Sequence, residues 1–338
     1  MKIAMTTIPF LPQIGGMETV VALLARELVK LGCEVKVATA TPSVQKDSFL
    51  YEVIRRPGRL ELLQLFRWAD VYLQHGPSLK FGWPVFFGRK PAAIVHHIWM
   101  NESSGIPFFG KWLRRSLLKR CQNLAVSMTV GKSLPVPWEA VPNPYDDELF
   151  RLMPEIARDR DIIFLGRLEP LKGIGDLIAA LVILKAKGCT PTVTIVGNGS
   201  MREELEIKVR TLGLSQPVHF AGCVPGEELV PLLNRHKIMV VPSRYEEPFG
   251  VVALEGIACG CAVIGSSGGG LPEAIGSCGV TFPNGDTQAL AETIQKFMAD
   301  PVGIQRCHAG AQAHLAGHHP VTVARRYLEI LHRDCGRK

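Results

Sequence analysis

The sequence predicts an α/β protein built as two parallel-sheet domains. Three observations carry that reading. The chain has 338 residues, more than one such domain needs. Short apolar runs alternate with longer segments of helical period, the pattern of βαβ units. The alternation also starts twice: once at Lys2, and again at Asp161, after Ala140-Val-Pro-Asn-Pro-Tyr-Asp-Asp. The expected domains are residues 1–142 and 143–319, with a final helix at 320–338 completing the first.

Composition narrows the function. The chain is 47% hydrophobic and 20% charged, which supports sizeable cores and excludes disorder. A net charge of +7 and a pI near 9.0 suit phosphorylated ligands or an anionic membrane surface. No stretch has the pattern of an RNA or DNA module, so a nucleic-acid partner is not expected. Nine cysteines occur without a Cys-x-x-Cys pair. They read as reduced thiols in a cytoplasmic protein, with Cys259 and Cys261 as small buried residues. Pro9 and Pro12 interrupt any signal-peptide core. No apolar run approaches the ~20 residues that span a bilayer.

In chain order, Lys2 to Thr6 is a strand, and Thr7 to Gly16 is a loop with the pair Gly15-Gly16. Glu18 to Leu31 has Val20, Val21, Leu23, Leu24, Leu28 and Leu31 at helical spacing, and Gly32 ends it. Glu34 resumes a strand. This is a βαβ unit with a glycine-rich first turn. It lacks the full Gly-x-Gly-x-x-Gly, so a dinucleotide is not indicated. Asp70 to His75 and Ala92 to His97 are further strands. The second ends in two histidines, at the strand end where open α/β sheets hold ligands.

Pro107 to Leu134 is the most basic part. Phe108, Phe109, Trp112, Leu113, Leu117 and Leu118 alternate at helical spacing with Lys111, Arg114, Arg115, Lys119 and Arg120. Two readings stay open: a basic amphipathic segment on an anionic membrane surface, or a core-packed helix with a solvated basic face. Under the first, the protein is peripheral at the inner face of the membrane.

The second half begins with a strand from Asp161 and a loop holding Gly166-Arg167 and Lys172-Gly173. Two cations and two glycines let backbone approach a diphosphate and neutralise it. Helices at Ile174 to Lys187 and up to Leu212, and strands at Thr192 to Val196 and Val218 to Gly222, follow. Ile238 to Val241 is a buried strand broken by Pro242 and Ser243, and Phe249 to Ala258 has helical spacing. A helix start offers unpaired N–H groups to a phosphate. Glu255 lies six residues, about 9 Å of rise, beyond Phe249. A sugar beside Glu247 and a ribose beside Glu255 would each meet a carboxylate. Asp159-Arg-Asp161 has a metal-site spacing but precedes its strand, and reads as a polar loop. No cluster has metal-ligand spacing, and neither metal nor another cofactor is expected.

Glu247-Pro-Phe-Gly, with Glu255 eight residues on and Ala258-Cys-Gly260 behind it, resembles the Glu-x7-Glu signature of retaining, nucleotide-sugar-dependent glycosyltransferases of the family-4 type. Glu246 lacks the spacing. The resemblance implies the GT-B fold: two Rossmann-like parallel-sheet domains facing each other across a cleft, with acceptor and donor domains in that order. It implies transfer of a sugar from a nucleotide diphosphate sugar to a hydroxyl acceptor with retention. The basic amphipathic segment, not the resemblance, favours a lipid-linked acceptor, as in cell-surface polysaccharide or glycolipid assembly. The resemblance implies as catalytic residues Glu247, His97, Arg167 and Lys172. Its donor-binding residues would be Gly16, Arg167, Lys172, Val224, Glu247, Phe249, Gly250, Val251 and Glu255. His97 would contact the donor sugar, Val224 the nucleobase through backbone, and Gly268 to Glu273 forms a further family-like turn. Asn143-Pro-Tyr-Asp146 departs from the family's Asn-Gly-Val-Asp, so no ligand contact is carried over there. The alternatives are a transferase for a soluble small-molecule acceptor, a GT-B sugar-nucleotide isomerase and a non-catalytic sugar-nucleotide-binding subunit. A phosphorylase would need a pyridoxal-linked Lys, and none stands out.

Overall fold

A computed structural model describes residues 1–13, 15–43, 48–100 and 108–335. Pro107, and the side chain of Phe108, lie outside the described residues. The chain forms two units: Met1–Pro144 with the segment from His318, and Tyr145–Gly317.

The first unit is a seven-stranded parallel sheet. Its strands are β1 (Lys2–Thr7), β2 (Glu34–Thr39), β3 (Glu52–Arg55), β4 (Val71–His75), β5 (Ala92–His96), β6 (Gln122–Ala125) and β7 (Glu139–Ala140), in the order β3-β2-β1-β4-β5-β6-β7. Its helices are α1 (Gly16–Lys30), α2 (Arg59–Trp68), α3 (Leu79–Gly82), α4 (Phe108–Arg120) and α5 (Met128–Lys132). The central strands are mostly apolar, as in parallel sheets that helices cover on both faces. Ile3 stands opposite Val71 and Met5 opposite Leu73, all inaccessible to water.

The second unit is a six-stranded parallel sheet of β8 (Arg160–Leu165), β9 (Val193–Val196), β10 (Val218–Gly222), β11 (His236–Val241), β12 (Ala262–Ser266) and β13 (Gly279–Phe282). The order is β10-β9-β8-β11-β12-β13. Its helices are α6 (Ile174–Ala186), α7 (Arg202–Thr211), α8 (Gly226–Asn234), α9 (Val251–Ala258), α10 (Leu271–Ile275), α11 (Thr287–Met298) and α12 (Pro301–Gly317). Leu177 and Leu181 of α6 join Leu290 and Ile294 of α11 in one core with the sheet residues Ile162, Ile195 and Ile264. The last helix, α13 (Pro320–Cys335), belongs to the first unit and packs on α1.

Each sheet reverses its strand order once, between β1 and β4 and between β8 and β11. Loops leaving adjacent strands diverge there and open a crevice at the strands' C-terminal ends. Arg167, Lys172 and Glu247 all sit on loops that leave β8 or β11.

The structure corrects three expectations. Gly15 and Gly16 do not make a tight turn. Gly16 is already the first residue of α1, and Gly15 is extended, with φ −172°. The helix expected from Phe249 starts at Val251, because Phe249 is buried and Gly250 holds φ +100°, outside the helical range. The basic segment is no single amphipathic element. Apolar Leu124 and Ala125 draw residues 122–125 into the sheet as buried β6, separating α4 from α5.

Candidate active site

The site of the second unit is assembled by backbone before any side chain acts. The Lys172 loop meets the Ser243–Glu247 loop through Gly173, whose φ is +70°. A Cβ on Gly173 would lie 1.7 Å from the Pro242 carbonyl oxygen, so only glycine permits this approach. The Arg244 N–H then donates to the Leu171 carbonyl at 2.9 Å. On the other side, Gly269 forms a parallel bridge with Glu247, and the Gly270 N–H donates to the Glu247 carbonyl at 2.7 Å. The Arg244 guanidinium anchors the loop to α6 by a double hydrogen bond to Asp176, at 2.6 and 2.5 Å. The Asn284 amide donates to the carbonyls of Ser243 and Tyr245 at 3.1 and 3.3 Å.

On this frame Glu247 is buried, 6% exposed, and Lys172, Ser243 and Tyr245 donate to its carboxylate. Lys172 Nζ reaches Oε1 at 2.7 Å, and Ser243 Oγ reaches the same oxygen at 2.7 Å. Tyr245 Oη donates to Oε2, and Lys172 also donates to Tyr245 Oη at 3.0 Å. A carboxylate oxygen accepts about two hydrogen bonds, so Oε1 is filled by protein. Oε2 keeps one acceptor position for a ligand hydroxyl. Burial, then the Glu247 charge, pushes the Tyr245 phenol far above its ordinary range, so it stays a donor. Arg167 lies near enough to Tyr245 to oppose that shift, with its own side chain largely exposed and paired to Glu169 at 3.3 Å.

The remaining predicted residues spread outward. Phe249 is buried, while Gly250 caps α9 and Val251 opens it. Glu255 sits four residues into α9, about 6 Å along the axis. Burial, and secondarily Asp146, raise its carboxyl to about 7. Val224 lies in the loop between β10 and α8, two strands away from β8. Asp159 pairs with Arg235 on the loop before β8, whereas Asp161, expected on that loop, lies within β8 and pairs with Lys237.

Gly16 and His97 belong to the first unit. Gly16 opens α1, and a Cβ there would meet nothing within 4 Å among the described residues. His97 follows β5 and is 7% exposed. Its Nε2 lies 2.9 Å from His75 Nδ1, with the ring centroids 5.2 Å apart and the ring planes 25° from parallel. His96 turns instead to Asn123, 3.0 Å away. Burial lowers His97 to about 3 and His96 to about 4.

Sequence reasoning missed Tyr245, Ser243, Arg244, Asp176, Asn284 and His75. Tyr245 had one legible signal, its place two residues before Glu247 on the same loop. His75 had another, since it ends the strand beside the one that ends in His96. The partners across the sheet left no local trace.

Residues 147–314 match a family model described as "Glycosyl transferases group 1". The matched segment lies within the second unit, Tyr145–Gly317. The chain is 37% identical over 157 residues to a glycogen synthase of Mycobacterium tuberculosis, covering 46% of this chain and 38% of that protein. The chain thus spans well under half the length of that relative. Over nearly the whole chain, a D-inositol 3-phosphate glycosyltransferase of Thermobispora bispora is 26% identical, covering 94% of this chain and 89% of its own. Among solved structures, Anabaena Alr3699/HepE in complex with UDP superposes with a TM-score of 0.82 at 21% identity, over 98% of this chain and 100% of that one. The fold is GT-B, two parallel-sheet Rossmann-like domains.

Proposed function

We propose that this protein is a retaining glycosyltransferase that moves a sugar from a nucleotide diphosphate sugar to an acceptor hydroxyl without a metal. The observation that carries the proposal is the partly buried Lys172–Glu247 pair at the β8/β11 switch point, next to the start of α9 and inside a group 1 domain. A diphosphate at that start meets the N–H groups of Gly250 and Val251, with Lys172 and Arg167 beside it.

The chemistry follows from where charge grows. The bond from the anomeric carbon to the diphosphate oxygen breaks, and negative charge collects on the leaving phosphate. Lys172, Arg167 and the helix start stabilise it in place of a metal. Glu247 Oε2 holds a hydroxyl of the sugar as the ring becomes oxocarbenium-like. The acceptor oxygen bonds to the anomeric carbon on the face the diphosphate leaves, and its proton passes to the departing phosphate oxygen. Glu255 binds the ribose, Val224 the base through backbone, and His97 the donor sugar.

The acceptor is lipid-linked, in cell-surface polysaccharide or glycolipid assembly. Phe109 and Trp112 of α4 support this. They are 68% and 58% exposed and stack 6.0 Å apart, beside exposed Lys111 and Lys119. No helix among the described residues is long and apolar enough to cross a membrane, so contact would be peripheral.

The test incubates the protein with a panel of nucleotide sugars and lipid or soluble acceptors, with and without chelator. Nucleoside diphosphate release that requires acceptor, survives chelator and yields a product of unchanged anomeric configuration supports the proposal. A strict need for added divalent metal, or inversion, overturns the corresponding part. Interconversion of the sugar nucleotide without acceptor identifies an isomerase.

A further inference from the structure

The first unit buries a histidine pair of which the proposed function uses only His97. His75 ends β4, and His97 lies one residue past the end of neighbouring β5, where His75 is in register with Val95. His75 is 2% exposed. The sheet therefore fixes both backbones, and the two rings meet at 2.9 Å.

Burial holds both rings uncharged, His97 at about 3 and His75 well below its ordinary value. Two neutral imidazoles sharing one contact have two arrangements. In the first, His75 Nδ1–H donates to His97 Nε2, and the His97 proton sits on Nδ1. In the second, His97 Nε2–H donates, and the His75 proton sits on Nε2. Among the described residues, His75 Nε2 is buried without a hydrogen-bond partner. The second arrangement strands an N–H there, whereas the first strands only a lone pair. Orphaned buried N–H groups are the rarer fault.

We propose that His75 is a positioning residue that locks His97 as its Nδ1–H tautomer, so that His97 offers an N–H donor, and no lone pair, to an oxygen of a hydroxyl-rich ligand. This rests on the proposed function insofar as that ligand is the donor sugar. It makes His97 a hydrogen-bond donor and removes it as a general base. The hydrogen bond of one ring nitrogen sets which proton the other carries.

Ring nitrogens of 15N-histidine-labelled protein report the tautomer directly, with the His97 signals identified by their loss in His97→Gln. Wild type should show a protonated His97 Nδ1 and a bare Nε2. His75→Asn, whose amide N–H can stand where Nδ1–H was, should keep that pattern, and His75→Leu should lose it. A protonated Nε2 on His97 in wild type overturns the proposal, even if His75→Leu does not fold. With whichever nucleotide sugar wild type turns over, His75→Leu should lower kcat about tenfold, the scale of one hydrogen bond, at unchanged KM. His75→Asn should restore it. Full kcat in a folded His75→Leu protein overturns the positioning role. If no nucleotide sugar is turned over, the proposed function fails, while the nitrogen spectra still decide the pairing.

Discussion

Glu247 and Glu255 are two carboxylates in opposite electrostatic situations. Glu247 is buried beside Lys172 and accepts from Ser243 and Tyr245. Glu255 is half-buried near another acid, Asp146, and desolvation, then that acid, raises it to about 7. Bound ribose hydroxyls would donate to Glu255 and favour its charged form, so binding would release a proton. Affinity for UDP-glucose or GDP-mannose should therefore rise between pH 6 and 8, as calorimetry in buffers of different ionisation enthalpy would record. Glu255→Ala should weaken that binding by about 1–3 kcal/mol and flatten the pH dependence; unchanged affinity refutes the ribose role. Lys172→Ala and Arg167→Ala should each reduce kcat more than they raise KM, since charge on the diphosphate grows in the transition state. Losses carried wholly by KM would count against that assignment.

Among elements, the loops after β8 and β11 show how much depends on a backbone approach. Gly173→Ala places a Cβ 1.7 Å from the Pro242 carbonyl at φ +70°. Strain alone costs about 1–3 kcal/mol, so the urea midpoint should fall and Lys172 should be displaced. Gly175→Ala, in α6 with nothing within 4 Å, should be neutral or stabilise by up to ~1 kcal/mol. Equal effects at both sites would mean the close approach is not limiting. Helix α4 divides its labour: Leu117 and Leu118 are fully buried, while Phe109 and Trp112 face outward. Arg114 is partly buried, with its guanidinium pKa lowered by desolvation, so it contributes less to a charged face than the sequence pattern implies. Binding to phosphatidylglycerol-containing vesicles should fall with salt, as screening shortens to ~3 Å at 1 M. Replacing Phe109 and Trp112 by Ala and Lys111 and Lys119 by Ser should weaken it. Indifference of the wild type to such vesicles at low salt would favour a soluble acceptor.

For the molecule as a whole, buried histidines should govern the acid limb of stability. His96 and His236 are lowered to about 4 and His97 to about 3, each chiefly by burial, and His75 lies well below its ordinary value. Their unfolded value is 6.5. Below it the unfolded chain takes up protons that the folded chain refuses, so stability is greatest above pH 6.5 and drains away towards pH 4. Each histidine contributes up to ~1.4 kcal/mol per pH unit within that window. Glu255 acts in the opposite sense: its contribution is present below about 4.5 and lost as pH rises through 7, one group against four. Urea midpoints should decline from pH 7.5 to 5. A flat profile would mean that these rings are not held neutral.

By itself, the sequence determined the two βαβ repeats, because apolar period is a local property and most of the strands that mattered ran as expected. Arg167, Lys172, Glu247 and the helix behind them were also legible, since each lies in a short motif with glycine or proline beside it. Tertiary structure decided who meets whom. Lys172 and Glu247 are 75 positions apart, Arg244 and Asp176 68, and His75 and His97 22. Periodicity reports neighbours within a turn or along a strand; these partners depend on strand order, which places β11 beside β8 and β5 beside β4. The burial that shifts Glu255 and the histidines arises the same way, from packing of distant segments that no single stretch of sequence contains.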